Sequence, residues 1–204
     1  MKDHMTHEIL IEPGSIIQFQ SQLIIDRNLV IRPHGGATEP AVESAHAGRR
    51  LNPSTAPQVT LDGMDRSRMF IVAPCTNATL EGLRMVRGTA GFEAQTSITN
   101  PFIGSTFDYE GRFPYGGAII NYGDLTMIGC AIERCKAPAG YGGAIASGVF
   151  EGAVLRMTDC VLRECEAYLI GGAIIQSLFT VSLTRCLIEN NKVVGPVLAY
   201  HIHE

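Results

Sequence analysis

Tyr115 to Cys135 reads YGGAIINYGDLTMIGCAIERC, and the chain repeats its pattern twice more: YGGAI returns at Tyr141 to Ile145 and GGAI at Gly171 to Ile174. The glycine pairs are spaced by 26 residues (Gly116 to Gly142) and then 29 (Gly142 to Gly171). A similar stretch follows each pair: LTMIGCAIERC from Leu125, LRMTDCVLREC from Leu155 and VSLTRCLIENN from Val181. Aligned, they place Cys130, Cys160 and Cys186 in one column, Ile132, Leu162 and Ile188 in a second, and Cys135, Cys165 and Asn191 in a third. An earlier copy, ATLEGLRMVRG, puts Leu83, Met85 and Gly88 in the same places.

Within each copy apolar and polar residues alternate, as in Cys130-x-Ile132 and Cys160-x-Leu162, which is the period of a half-buried strand. Recurrent glycine pairs would destabilise a helix. Self-similarity at this interval marks a solenoid, in which each repeat buries its face only by stacking on its neighbours. Short strands, tight corners and no helix predict an all-β parallel β-helix of about five to six coils, with like residues stacked about 4.8 Å apart. The expected organisation is a single domain over 1–204. Residues 1–27 form a cap or first coil, 116–195 the regular repeats, and 33–57 and 88–115 two loop insertions.

Composition narrows the function classes. The chain is 46% hydrophobic and 18% charged, which allows a sizeable core and argues against disorder. A net charge of -4 without a Lys/Arg run argues against nucleic acid as a partner. No apolar stretch is long enough to span a bilayer as a helix. The start, MKDHMTHEILIEPG, carries charges and histidines where a signal peptide needs an apolar run, so localisation is left open. Of the six cysteines, five sit at repeated positions in apolar strands and Cys75 stands apart. They are expected to be buried thiols acting as small hydrophobes, and neither a metal nor a cofactor is expected.

The three GGAI repeats resemble the GGAI/FxxN repeats of chlamydial polymorphic outer membrane proteins. The FxxN half departs from that pattern: Ile132-x-x-Cys135, Leu162-x-x-Cys165 and Ile188-x-x-Asn191 stand in its place, and only Asn191 keeps the asparagine. With VTLDG, RMFIV and ATLEGL upstream, residues from about 28 to 195 resemble the right-handed parallel β-helices of the pectin-lyase-like superfamily. The resemblance implies a right-handed coil. It also implies attachment or display at a surface, on a scaffold that carries both enzymes and inert stalks.

The second insertion crowds Phe102, Phe107, Tyr109, Phe113 and Tyr115 into one loop, and it leaves the same corner as the short turns before Tyr141 and around Tyr168. Phe107, Tyr109, Phe113, Tyr115, Tyr141 and Tyr168 are therefore the candidate binding residues, as aromatic faces stack on sugar rings or bury against a protein. The alternative is that this loop folds back over a flank of the rod. The first insertion, rich in Pro, Ala, Gly and Ser, reads as an exposed loop leaving a different corner.

Acid-base chemistry needs carboxylates and a base converging on one face. The densest polar cluster is LDGMDRSR, with Asp62, Asp65, Arg66 and Arg68 as weak catalytic candidates, though Asp62-Gly63 also suits a plain turn. Asp108, Glu110 and Arg112 are similar candidates on the aromatic loop, where charge also serves solubility. Glu133-Arg134, Arg163-Glu164 and Glu189-Asn190 are expected to form a solvated ladder of ion pairs. His34 reads as a loop histidine, and His201 and His203 as polar residues of a terminal strand.

The expected function is thus a structural or adhesive module that binds a glycan or a surface or assembly protein. The alternative is a carbohydrate-active enzyme, a polysaccharide lyase or epimerase. The segment VVGPVLAYHIHE is short and apolar: either it folds across the C-terminal edge, or that edge meets another copy, another protein or more of a longer chain.

Overall fold

The computed structural model describes residues 5–35, 59–91, 115–148, 153–176 and 180–196 in full, and 96–99 and 106–109 as backbone. Among these residues there is no helix, and the strands wind as coils. The first coil holds β1 (His7–Ile11), β2 (Ile16–Gln18) and β3 (Leu23–Ile25), and the second β4 (Leu29–Pro33), β5 (Val59–Asp62) and β6 (Phe70–Val72). The third has β7 (Asn77–Glu81) and β8 (Leu83–Val86), then the pair β9 (Thr96–Thr99) and β10 (Thr106–Tyr109), then β11 (Ile119–Asn121). A fourth coil is built from β12 (Asp124–Ile128), β13 (Ala131–Glu133), β14 (Lys136–Ala137) and β15 (Ile145–Ser147). β16 (Val154–Thr158), β17 (Val161–Arg163), β18 (Glu166–Ala167) and β19 (Ile174–Gln176) make the fifth; β20 (Val181–Thr184), β21 (Leu187–Glu189) and β22 (Lys192–Val193) complete the last.

Equivalent strands of successive coils pair in parallel. The first sheet runs β1-β4-β7-β12-β16-β20, the second β2-β5-β8-β13-β17-β21, the third β3-β6-β11-β15-β19, and a short fourth β14-β18-β22. Only β9 and β10 pair antiparallel among the described strands. The protein is a parallel β-helix, as the repeat requires.

Register sets like on like inside the coil. One inward column is Ile9, Ile31, Leu80, Met127, Met157 and Leu183. A second is Ile17, Leu61, Met85, Ile132, Leu162 and Ile188, and a third Leu23, Phe70, Ile119, Ile145 and Ile174. Members from the middle coils are buried completely or nearly so. Each contributes about 1.5–3 kcal/mol by leaving water.

The corners explain the glycine pairs. The first glycine of each takes a left-handed backbone: φ is 58° at Gly116, 68° at Gly142 and 70° at Gly171. The second lies flat against the next coil, where a Cβ on Gly143 would stand 2.1 Å from the carbonyl oxygen of Gly172. No side chain fits there. The corner between first and second sheets is more tolerant, with Gly82, Gly129, Asp159 and Arg185 all at φ 50–59°. A third left-handed column, between second and fourth sheets, holds Asp65, Arg87, Arg134, Glu164 and Asn190 at φ 52–56°. None of these five is glycine, and parallel ladder bonds hold them, such as Arg134 N–H to the Arg163 carbonyl at 3.1 Å.

Five of the six cysteines line the core as free thiols. Cys130, Cys135, Cys160 and Cys165 are buried, Cys186 half-buried and Cys75 exposed. The Cys130 thiol donates to the Leu80 carbonyl at 3.2 Å, and Cys160 and Cys186 reach the carbonyls of Met127 and Met157 in the same manner. The Cys160 thiol is pushed well up, first by its hydrogen bond with Cys130, and burial pushes Cys135 up.

Candidate functional site

The aromatic insertion leaves the coil between Thr89, bridged to Lys136, and Tyr115, bridged to Tyr141. That is the corner the sequence indicated. Tyr115 and Tyr141 stack as neighbouring rungs, with ring centroids 5.4 Å apart and planes 18° apart. Burial, then the neighbouring Tyr141, raises the Tyr115 phenol above its ordinary value. Tyr115 also packs on a small apolar cluster of Ile71, Ala73, Ile120 and Tyr122. Ile71 and Ile120 alternate with the core residues Phe70, Val72 and Ile119, so this cluster lies on the outer face of the third sheet.

The rung above Tyr141 is Ile170, which is 57% exposed. Tyr168, expected at that corner, instead donates its N–H to the Ala137 carbonyl and accepts at its own carbonyl from Gly195 N–H, and the residue is 39% exposed. The cause is loop length: Lys136 to Tyr141 spans six residues and Glu166 to Ile170 five. Phe107 and Tyr109 lie on β10, opposite Ile98 and Thr96, and only their backbone is described. Phe113 lies outside the described residues, as do Glu110, Arg112, His201 and His203; Asp108 pairs with Ser97 through the backbone. His34 is an exposed turn residue whose N–H donates to the Ile11 carbonyl at 2.7 Å.

The LDGMDRSR cluster does not converge. Asp62 is buried, its carboxylate bound by the Arg87 guanidinium and capping the Met64 N–H at 2.8 Å. The Arg87 hydrogen bond holds this carboxyl below its ordinary value. Asp65 and Arg66 are exposed. Arg68 is buried, and its Nε donates to the carbonyls of Tyr115 (3.1 Å) and Gly116 (2.8 Å), while Nη1 reaches Gln22 Oε1 at 2.8 Å. In later coils the corresponding carbonyls accept backbone N–H groups, as Tyr141 O does from Gly116 and Gly142 O from Gly117. Arg68 stands in for the donors that the second coil, which has no glycine pair, does not supply.

The expected solvated ladder needs one correction. Glu133 is buried, held between Arg84 (2.7 Å) and Arg163 (2.8 Å), which are themselves only about one-third exposed. Burial raises its pKa, but the hydrogen bond and charge of Arg84, with those of Arg163, outweigh this and leave it below the usual carboxylate range. It reads as outward and solvated in sequence because it alternates with the inward Ile132 and adjoins Arg134. The Arg84 and Arg163 stems cover it from either side.

An open concavity of about 510 Å³ lies along the left-handed column between second and fourth sheets. Asp65, Arg87, Arg134, Glu164 and Asn190 line it from the corner, with Lys136, Glu166 and Lys192 from the fourth sheet. Lys192 pairs with Glu166 at 3.1 Å. Asp65 is the one LDGMDRSR residue there. Arg87, Lys136, Glu166 and Lys192 carry no sign of this in sequence, because stacking of coils and not residue type brings them together.

Compared with known proteins, the chain matches no family model, no curated protein and no solved structure. Among the described residues, no helix is long and apolar enough to cross a membrane.

Proposed function

We propose that this protein is a non-enzymatic structural or adhesive β-helix module that engages a glycan or protein partner at its tyrosine corner. The observation that carries this reading is the stacked pair Tyr115–Tyr141 on a rigid coil edge, continued by exposed Ile170 and flanked by exposed Tyr168. Apolar and aromatic side chains fixed on stacked strands lose little entropy on binding, which suits a docking surface. The engagement of Asp62 by Arg87, and of Arg68 by backbone carbonyls, supports structural duties for these acid-base candidates. The likeness of the repeats to those of polymorphic outer membrane proteins supports display at a surface.

The test is binding to a glycan array and to candidate surface proteins, using wild type, Tyr141→Ala and Ile170→Asp. The reading predicts binding without turnover and a loss of about tenfold in each variant, the size of one aromatic contact. Binding that both variants leave unchanged refutes the corner.

A polysaccharide lyase or epimerase is the second reading, favoured by the concavity that sets Asp65 and Glu164 with Arg134 and Lys136 along one groove. Unsaturated product released from a uronate polymer, and abolished in Lys136→Ala, would put it ahead.

A further inference from the structure

Coil stacking sets cysteine on cysteine at two corners. Cys130, Cys160 and Cys186 form a file in which Cys160 hydrogen-bonds both neighbours and has no exclusive partner. Cys135 and Cys165 form a file of their own. The register Glu133 with Arg163 on one side, and Lys136 with Glu166 on the other, sets them on facing rungs of the fourth and fifth coils. Their thiols hydrogen-bond each other, and both residues are fully buried. Groups without sulfur close this file at either end. Above it, the Asn191 amide accepts from Cys165 N–H and donates to the Leu162 carbonyl, both at 2.9 Å. Below it, Gly88 N–H donates to Cys135 Sγ at 3.3 Å. Within the file each of the two sulfurs has the other as its one sulfur neighbour.

We infer that Cys135 and Cys165 are a disulfide site, closed when the chain folds in contact with a low-molecular-weight disulfide, and that the bond ties the fourth coil to the fifth. Facing rungs stand about 4.8 Å apart, within the range of about 4.4–6.8 Å between the Cα atoms of a disulfide. The bond draws the Cβ atoms together by about 1 Å relative to the strand spacing. The corner can give this, because Cys135 lies between β13 and β14, and Cys165 between β17 and β18, outside any strand. Losing the two S–H groups orphans neither nearby carbonyl. Cys135 Sγ is 3.5 Å from the Glu133 carbonyl and Cys165 Sγ 3.4 Å from that of Arg163. Those carbonyls also accept Arg87 N–H at 3.2 Å and Arg134 N–H at 3.1 Å. In the reaction, one cysteine thiolate attacks the small disulfide and expels a thiolate. The second then attacks the protein sulfur of the mixed disulfide and expels the other thiolate. Two electrons leave the cysteines, and the reagent is reduced to two thiols that take up the two protons. Closure of the coil afterwards shields the bond from reductant. This inference rests on the two coils alone and is independent of the tyrosine corner.

The experiment uses the full chain carrying Cys75→Ser, which removes the exposed thiol and its intermolecular products. The chain is unfolded in urea with reductant and refolded by dilution into glutathione mixtures of rising disulfide content. Free thiols are alkylated after denaturation. Peptide mapping without reduction should find Cys135 linked to Cys165, with Cys130, Cys160 and Cys186 the three alkylated cysteines. Before alkylation the mass should be lower by about 2 Da. Oxidised and reduced forms should share one circular dichroism spectrum, and the unfolding constant of the oxidised form should be smaller by about tenfold or more at a given urea concentration. Cys130→Ala should keep the linked pair and Cys165→Ala should abolish it; the mapping itself requires neither variant to fold. Five alkylated cysteines at every glutathione ratio overturn the inference. So does a main bond within the Cys130, Cys160 and Cys186 file, or an oxidised form that lacks the native spectrum or unfolds at no higher urea than the reduced one.

Discussion

Substituting alanine at Gly143 tests whether the glycine pairs exist for coil stacking. An ideal Cβ there would stand 2.1 Å from the Gly172 carbonyl oxygen, 2.6 Å from Glu166 N and 2.7 Å from Glu166 C. All three atoms are backbone, held by ladder bonds such as Gly143 N–H to Gly171 O at 3.0 Å and Glu166 N–H to Cys135 O at 2.9 Å. No side-chain rotation relieves the overlap; coils must separate locally, and the ladder bonds and the underlying Ile145 contacts weaken together. Overpacking that shifts backbone costs about 1–3 kcal/mol and occasionally more, and three backbone clashes put Gly143→Ala at the upper end, about 3 kcal/mol. Gly129→Ala isolates the other contribution, because Gly129 has φ 59° and a Cβ added to it would meet nothing within 4 Å. Only the left-handed backbone penalty remains, about 1 kcal/mol, and Asp159 and Arg185 already tolerate that conformation in the same column. Urea unfolding followed by far-ultraviolet circular dichroism measures both. Equal losses for the two variants, or a smaller loss at Gly143, would refute the stacking argument.

Glu133→Gln should cost about 2–3 kcal/mol, since it leaves Arg84 and Arg163 without their shared carboxylate. Because the folded pKa of Glu133 lies below its unfolded value, its stabilisation is complete above the ordinary carboxylate range. It is lost as pH falls from about 4 downward, so the variant's melting temperature should fall less steeply with acid than wild type's. A thiol reagent should modify Cys75 quickly in the native protein and Cys186 slowly, with the four buried thiols reacting only on unfolding. Cys75→Ser should remove the fast phase. Arg68→Ala should destabilise by about 2 kcal/mol, because the Tyr115 and Gly116 carbonyls lose their guanidinium donor, measured by the same unfolding assay.

What was legible in sequence follows from what stacking demands of residue type. The Cys130, Ile132 and Cys135 columns, with Leu83, Met85 and Gly88 below them, align in the structure as read, because a buried column admits only small or apolar groups. Gly142 and Gly143 announce a corner that only glycine can make. The corner at Arg87, Arg134 and Glu164 carries no such sign: the ladder imposes a left-handed backbone on residues that do not favour it. Glu133 was misread for a related reason, since its burial depends on Arg84 and Arg163 two coils apart, a neighbour relation that alternation cannot express. Tyr115 and Tyr141 stack on adjacent coils, as expected from their place before the glycines. Ile170 was overlooked in favour of Tyr168 because one residue is missing from the turn.

The in-register parallel β-helix is tested most directly by spin-label distances along one outward column. Glu8 and Ser182 end the column that runs through Val30, Thr79, Thr126 and Arg156, although 174 positions separate them in sequence. With Cys75 replaced by serine and the labelled protein diluted in unlabelled chain, labels at 8 and 182 should lie about 24 Å apart, five strand spacings. Labels at 8 and 156 should lie about 19 Å apart, one spacing less. Narrow distributions differing by that single step are the expected result; broad distributions, or a second distance no shorter than the first, would contradict the fold on which everything else rests.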